Sequence, residues 1–232
     1  MDKLNLIIPV AADKEEYEHV MPYLFNFSVD GTLLCIKSIQ GLDLNRFDHI
    51  YLTILKKHDK QYYLRELVEM QLKRLHLENA KVVVLSEATT SQAETVYQTI
   101  HQENIEGSIF VKDADGYFNC DFTLGNGIAI YPLDKLPLVD PRNKSYVNVD
   151  DQFYITNIIE KKIISRFFNA GAYLFDSADE FCIYYERLKD CPSLYMSHIV
   201  FAMLLDQKSF RPIQVSNYKD WGNMEMYNIS GL

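Results

Sequence analysis

Apolar residues fall along this chain in two rhythms that take turns. Residues 4–10, 48–55 and 81–85 are short, nearly uninterrupted apolar runs rich in Ile, Val, Leu and Tyr, the first ending Leu6-Ile7-Ile8-Pro9-Val10. Runs of this length and uniformity predict strands buried on both faces. Between them, Tyr63, Leu64, Leu67, Met70, Leu72 and Leu75 recur at helical spacing opposite Arg65, Glu66, Glu69 and Lys73, which predicts one amphipathic helix over 60–77. A second helix is expected over 91–102, with Ser91 as N-cap and Glu94 at the capping-box position, followed by a fourth strand over 108–111.

Strands alternating with helices of this length imply βαβ units and a parallel sheet covered on both faces. The second half changes character. Strands are expected over 125–131, 146–149, 153–160 and 170–175, with Asp150-Asp151 turning one into the next, then helices over 177–189 and 195–207 and a strand over 211–215. The expected fold is α/β: a Rossmann-like mixed, mainly parallel sheet flanked by helices. No repeat or Pro/Gly/Ser linker interrupts the pattern, so one domain over 1–232 is expected.

A formal charge of −9 and no Lys/Arg block argue against nucleic acid as a partner. The apolar start at 4–10 is too short for a signal sequence or a membrane span, which leaves the cytoplasm as the expected compartment. Cys35, Cys120, Cys182 and Cys191 are widely spaced, without a CxxC pair or a disulfide-framework pattern, and read as reduced thiols. The six histidines are scattered, and none sits with a Ser or Cys in a nucleophile signature.

Three stretches carry candidate chemistry. Lys112-Asp113-Ala114-Asp115-Gly116 follows the fourth predicted strand, where open α/β sheets bind ligands, and two carboxylates two residues apart can hold a hard cation such as Mg²⁺. An ordinary Asp/Gly turn has the same composition. Tyr218-Lys219-Asp220-Trp221-Gly222 follows the last predicted strand; Asp220 could close a metal site from the far end of the chain, or the stretch is a surface turn capped by the single tryptophan. At the end of the strand over 153–160, Lys161 could meet a phosphate and Glu160 could accept from sugar hydroxyls, or both are a solvated strand end.

In their order and surroundings these stretches resemble the sugar-phosphate nucleotidyltransferase family, particularly members associated with capsule and lipopolysaccharide synthesis. Thr89-Thr90-Ser91-Gln92-Ala93-Glu94-Thr95 resembles the family's Thr-x-Gly-x-Ala-x-Thr stretch, and Asp113-Ala114-Asp115-Gly116-Tyr117-Phe118 its Asp-Asn-x-Phe metal loop. Ile159-Glu160-Lys161 is similar to Val-Glu-Lys-Pro, with Lys162 in place of the proline. Asn169-Ala170-Gly171-Ala172-Tyr173-Leu174-Phe175 resembles the Asn-x-Gly-x-Tyr-x-Phe strand, and Asp220-Trp221-Gly222 the terminal Asp-Trp-Gly-Thr. The likeness covers roughly residues 4–227 and is strongest after Lys81.

The resemblance implies a nucleotidyltransferase or GT-A type of fold and a Mg²⁺-dependent transfer of a nucleotide to a phosphorylated sugar or similar small acceptor. Asp115 and Asp220, aided by Asp113, would be the metal ligands, and Lys161 and Asp115 the catalytic residues. Gln92 would lie near the base, Glu160, Asn169 and Gly171 around the sugar. One departure stands against this. Family members that transfer nucleotides follow the first strand with a Gly-x-Gly-[Ser/Thr]-Arg loop and a later Pro-Lys; residues 11–24 contain no glycine, and Tyr23 follows Pro22. Asp13, Glu15, Glu16 and Glu18 outnumber Lys14, the one lysine there and the residue left to meet substrate phosphate. Two alternatives therefore stay open: a homologue that binds sugar or nucleotide without turnover, and a GT-A glycosyltransferase using a nucleotide-sugar donor. Assembly into a homo-oligomer is left open.

Overall fold

The computed structural model describes residues 3–136 and 141–222. Its first half is a parallel sheet of β1 (Leu4–Val10), β2 (His49–Leu55), β3 (Ala80–Leu85) and β4 (Ser108–Lys112), ordered β3-β2-β1-β4. Successive residues of these strands enter opposite cores. Ile7, Tyr51, Val83 and Ile109 pack on one face against α4 (Gln92–Glu103), α5 (Ala178–Leu188) and α6 (Met196–Leu205). Leu6, Ile8, Leu52, Val82 and Phe110 pack on the other against α1 (Leu34–Lys37) and α3 (Leu64–Arg74). Both faces being covered is why these strands read as solid apolar runs.

The single helix expected over 60–77 is two helices, α2 (Lys56–Tyr62) and α3. Tyr63 between them takes a left-handed φ of 56°, and the Asp59 carboxylate accepts the Arg65 N–H at 2.8 Å, capping the new helix. Leu64, Val68 and Leu72 face the sheet, whereas Tyr63 and Met70, counted in the apolar stripe, are exposed. Helical periodicity runs on across a one-residue break, so the pattern conceals it.

The second half adds β5 (Gly116–Cys120), β6 (Gly127–Pro132), β7 (Ser145–Val149), β8 (Ile155–Glu160), β9 (Phe167–Phe175) and β10 (Arg211–Asp220). The sheet continues β4-β9-β6-β10-β5, with β9 antiparallel to both neighbours and β10 parallel to β6. β7 and β8 form a hairpin leaning on β9. Its turn is the expected one: Asp150 Oδ1 accepts the N–H groups of Gln152 and Tyr154 at 3.0 and 2.8 Å.

Two features were not expected. β5 follows the Asp113–Asp115 loop directly, and β10 runs five residues beyond the predicted end at 215. β10 pairs first with β6, through Arg211–Gln214, then from Val215 with β5, in a ladder interrupted by a bulge between Ser216 and Lys219, where Asn217 has φ 53°. This change of partner sets Asp220 opposite Gly116. Among the described residues no helix is long and apolar enough to cross a membrane.

Candidate active site at the carboxyl edge of the sheet

The loop after β4 is tied down from beneath through its carbonyls. Lys112, fully buried, donates its ammonium to the carbonyls of Asp113 at 2.6 Å and Gly116 at 2.9 Å. Trp221 takes the two between, donating Nε1–H to Ala114 at 3.1 Å and its backbone N–H to Asp115 at 2.9 Å. All four carbonyls from 113 to 116 are thereby bonded. Burial pushes Lys112 down to about 8, against the opposing pull of Asp113 and Asp115. The tryptophan read as the possible cap of a surface turn is fully buried.

Asp113 and Asp115 behave differently. Asp113 Oδ1 accepts from Gln92 Nε2, and its Oδ2 lies against the Cα of Gly171, where a built Cβ would come within 2.9 Å. Gly171 has φ +87°, so that close approach and that backbone both require glycine. Asp115 instead faces Asp220. A Cβ built on Gly222 would lie 3.1 Å from Asp220 Oδ1 and 3.4 Å from Asp115 Oδ2, so the two carboxylates are separated by no more than the sum of those distances. Burial, then the charges of Asp113 and Asp220, push Asp115 up to about 6, while Lys144 and Lys112 pull the other way.

Lys144 went unnoticed in the sequence. It donates to Asp220 Oδ2 and, at 3.0 Å, to the Tyr218 hydroxyl. Burial alone would lower its pKa; Tyr218 and Asp220 outweigh burial and raise it, so Lys144 is an ammonium. No local signal singles it out, since it lies between a short turn and β7 and far from Asp220 in the chain.

Two cavities meet at this loop. One, of about 450 Å³, lies between the first loop and the start of α4, lined by Ala12, Tyr17, Thr89 and Thr90. The other, of about 610 Å³, lies toward β7, β8 and β9 and is lined by Lys144, Glu160, Lys161, Asn169 and Tyr195. Lys14, Gln92, Asp113 and Asp115 line both. Glu160 Oε2 accepts from the hydroxyls of Ser145 and, at 2.7 Å, Ser197. Lys161, at φ 56°, donates to Tyr195 Oη at 2.7 Å, with its ammonium over that ring. Asn169 Oδ1 accepts the N–H groups of Gly171 and Ala172, shaping the β9 backbone under the cavity.

The first loop is less repulsive than its residues suggest. Asp13 accepts from Lys57 at 3.2 Å and lies 3.2 Å from His58 Nε2, while Lys57 also reaches Glu18 at 3.6 Å. Helix α2 thus answers two of the four acidic residues, a pairing only the fold reveals. The side chains of Glu15 and Glu16 lie outside the described residues, as do residues 223–227 at the end of the family likeness. Burial holds His58 below the usual imidazole range, against the pull of Asp13. Lys14 lies over the Tyr17 ring.

As donors for a cation the site offers two neighbouring carboxylates, the number Mg²⁺ commonly takes from a protein when water and phosphate complete its shell. Their oxygen chemistry and the mutual repulsion evident at Asp115 fit such an ion. Among the described residues no group of three or more His, Cys, Asp or Glu side chains is gathered as a metal site.

The whole is a nucleotidyltransferase-type α/β fold with a carboxylate-bearing loop between two cavities. Solved structures share it over nearly their full length. A nucleoside-diphosphate-sugar pyrophosphorylase from Vibrio cholerae RC9 matches with a TM-score of 0.80 at 16% identity, covering 97% of this chain and 99% of that one. An inositol-1-phosphate CTP transferase from T. maritima matches at 0.70 and 15%, covering 99% and 96%. A UDP-glucose pyrophosphorylase complexed with UDP-glucose matches at 0.72 and 13%, covering 100% and 97%. No family model matches the sequence, and no curated protein matches it significantly. At such identities the likeness establishes the fold.

Proposed function

We propose that this protein is a nucleotidyltransferase, joining a nucleoside monophosphate unit to a phosphorylated sugar or similar small acceptor in the cytoplasm, for surface-polysaccharide synthesis. The observation that carries the reading is Asp115, which lines both cavities, with Asp220 facing it from the end of β10. A two-substrate transfer needs a pocket for each partner and the reacting phosphates between them. The nucleoside would occupy the cavity beside Gln92, Thr89 and Thr90, and the sugar phosphate the cavity of Glu160 and Asn169.

In this reaction an oxygen of the acceptor phosphate attacks the α-phosphorus of a nucleoside triphosphate, and the bond to pyrophosphate breaks. Asp115 and Asp220 would hold Mg²⁺, which supplies charge neutralisation at phosphate oxygens. Glu160, with one oxygen fixed by Ser145 and Ser197, orients sugar hydroxyls through the other. Asn169 and Gly171 shape the wall beneath the sugar. Lys161 and Lys14, on the cavity walls, meet acceptor and donor phosphates.

A second reading is favoured by the first loop, which lacks glycine and is anchored through Asp13 to Lys57 and His58. It is a homologue that binds nucleotide or sugar without turnover. Calorimetric titration with each nucleoside triphosphate, with and without Mg²⁺, followed by a pyrophosphate-release assay with sugar phosphates, separates the two. Metal-dependent binding with release, abolished in Asp115→Asn and Asp220→Asn, establishes transfer. Binding without release establishes the second reading, and no binding of nucleotide or sugar nucleotide sinks both.

A further inference from the structure

The side chain of Lys144, just ahead of β7, lines the second cavity and ends on Asp220, which faces Asp115. It is largely buried, with 18% of the side chain exposed, and so is Asp220 at 16%. Its ammonium bonds Asp220 Oδ2 and the Tyr218 hydroxyl, which itself lies 3.4 Å from the same Oδ2. The other oxygen, Oδ1, accepts the Gly222 N–H at 2.9 Å. Both oxygens of Asp220 are therefore engaged, one of them by a full positive charge.

Three carboxylates meet at this loop, and burial makes their mutual repulsion expensive. Lys112 contributes charge from below, but its hydrogen bonds go to backbone carbonyls. Lys144 bonds a carboxylate directly. An ammonium donating to Oδ2 and a divalent cation taking a lone pair of the same oxygen compete for one position.

We propose that Lys144 is the resident cation of the Asp115–Asp220 pair, and that a divalent ion binds there by displacing it. The displaced ammonium remains in the second cavity, where it can meet the acceptor phosphate. It supplies from the β7 side a cation beyond Lys14, the one lysine of the first loop. The proposal rests on the metal-dependent reading above, and it makes Lys144 a gate on metal affinity as well as a phosphate contact.

The test uses Mn²⁺ alone as the probe, in calorimetric titrations of the full-length wild type and of Lys144→Met, which keeps an unbranched side chain as far as Cε and removes the charged group. Removing a competing unit charge at contact distance in a partly buried site is expected to tighten Mn²⁺ at least about tenfold. Melting curves should show Lys144→Met less stable than wild type without metal and raised further by Mg²⁺. Tyr218→Phe, which removes one acceptor of the ammonium and leaves the carboxylates intact, should give a smaller tightening in the same direction, and it carries the test should Lys144→Met fail to fold. Mn²⁺ affinity unchanged or weaker in the variants, or no Mn²⁺ binding to any of the proteins, overturns the proposal. Tighter Mn²⁺ binding by a protein that releases no pyrophosphate leaves it standing and removes only transfer.

Discussion

The indole Nε1–H of Trp221 donates to the carbonyl of Ala114 at 3.1 Å, across more than a hundred positions of sequence. With the neighbouring bond from Trp221 N–H to Asp115, it locks the end of β10 onto the loop after β4. Asp115 and Asp220 face one another because that lock lies directly beneath them.

Trp221→Phe keeps most of the buried volume and removes the donor, leaving the Ala114 carbonyl unsatisfied. A loss of about 1–3 kcal/mol is expected by urea denaturation, rising to about 3–5 for Trp221→Ala. A Trp221→Phe protein as stable as the wild type would show that the lock contributes nothing. As the single tryptophan, Trp221 also makes intrinsic fluorescence a direct reporter of this junction.

Gly171→Ala should disturb the same site from the opposite wall. A Cβ at that position meets Asp113 Oδ2 at 2.9 Å on a backbone with φ +87°. We expect about 1–3 kcal/mol of destabilisation from backbone strain, together with loss of the Gln92–Asp113 bond as the carboxylate moves. A crystal structure of the variant with that bond intact would refute the second half.

Glu160→Gln tests the acceptor cavity. Two serine hydroxyls donate to one Glu160 oxygen, and a Gln that keeps both bonds places its amide oxygen there and turns NH₂ toward the cavity. The proposed acceptor for sugar hydroxyls then becomes a donor. The KM for sugar phosphate should rise at least about tenfold, as expected for loss of a charged hydrogen bond, with KM for the nucleotide nearly unchanged. Equal rises in both would place Glu160 outside acceptor recognition.

The thiols should separate by reactivity. Cys191 is exposed, whereas burial pushes the Cys35 thiol up to about 12. Mass spectrometry of native protein treated with iodoacetamide should find Cys191 labelled and Cys35 labelled only after denaturation. Because the native thiol holds its proton above the ordinary value of about 8.5, the native state binds more protons than the unfolded chain over the range from there to about 12. Stability from this group is complete below pH ~8.5 and falls as pH rises. Cys35→Ala should flatten that alkaline decline; an unchanged slope would assign it to other groups.

Much of the frame was legible in the chain. The four strands of the first half fall within a residue of their predicted ends, and Ser91 caps α4 as its position implied, accepting the Glu94 N–H at 3.1 Å. The capping carboxylate closes one residue early, Glu94 bonding the N–H and hydroxyl of Thr90. Asp113 and Asp115 could be placed at a strand's carboxyl end because that position follows from local pattern alone.

What the amino-acid order determined by itself is therefore local: which segments are apolar on both faces or one, where helices begin, and which carboxylates sit in a turn. Only the tertiary structure decided that β10 passes from β6 to β5 and brings Asp220 to Asp115, that Lys144 ends on Asp220, and that Lys57 and His58 answer Asp13. The physical reason is reach. Periodicity and capping act over a few residues, whereas strand partners and ion pairs between distant segments are chosen by which surfaces the whole sheet buries together.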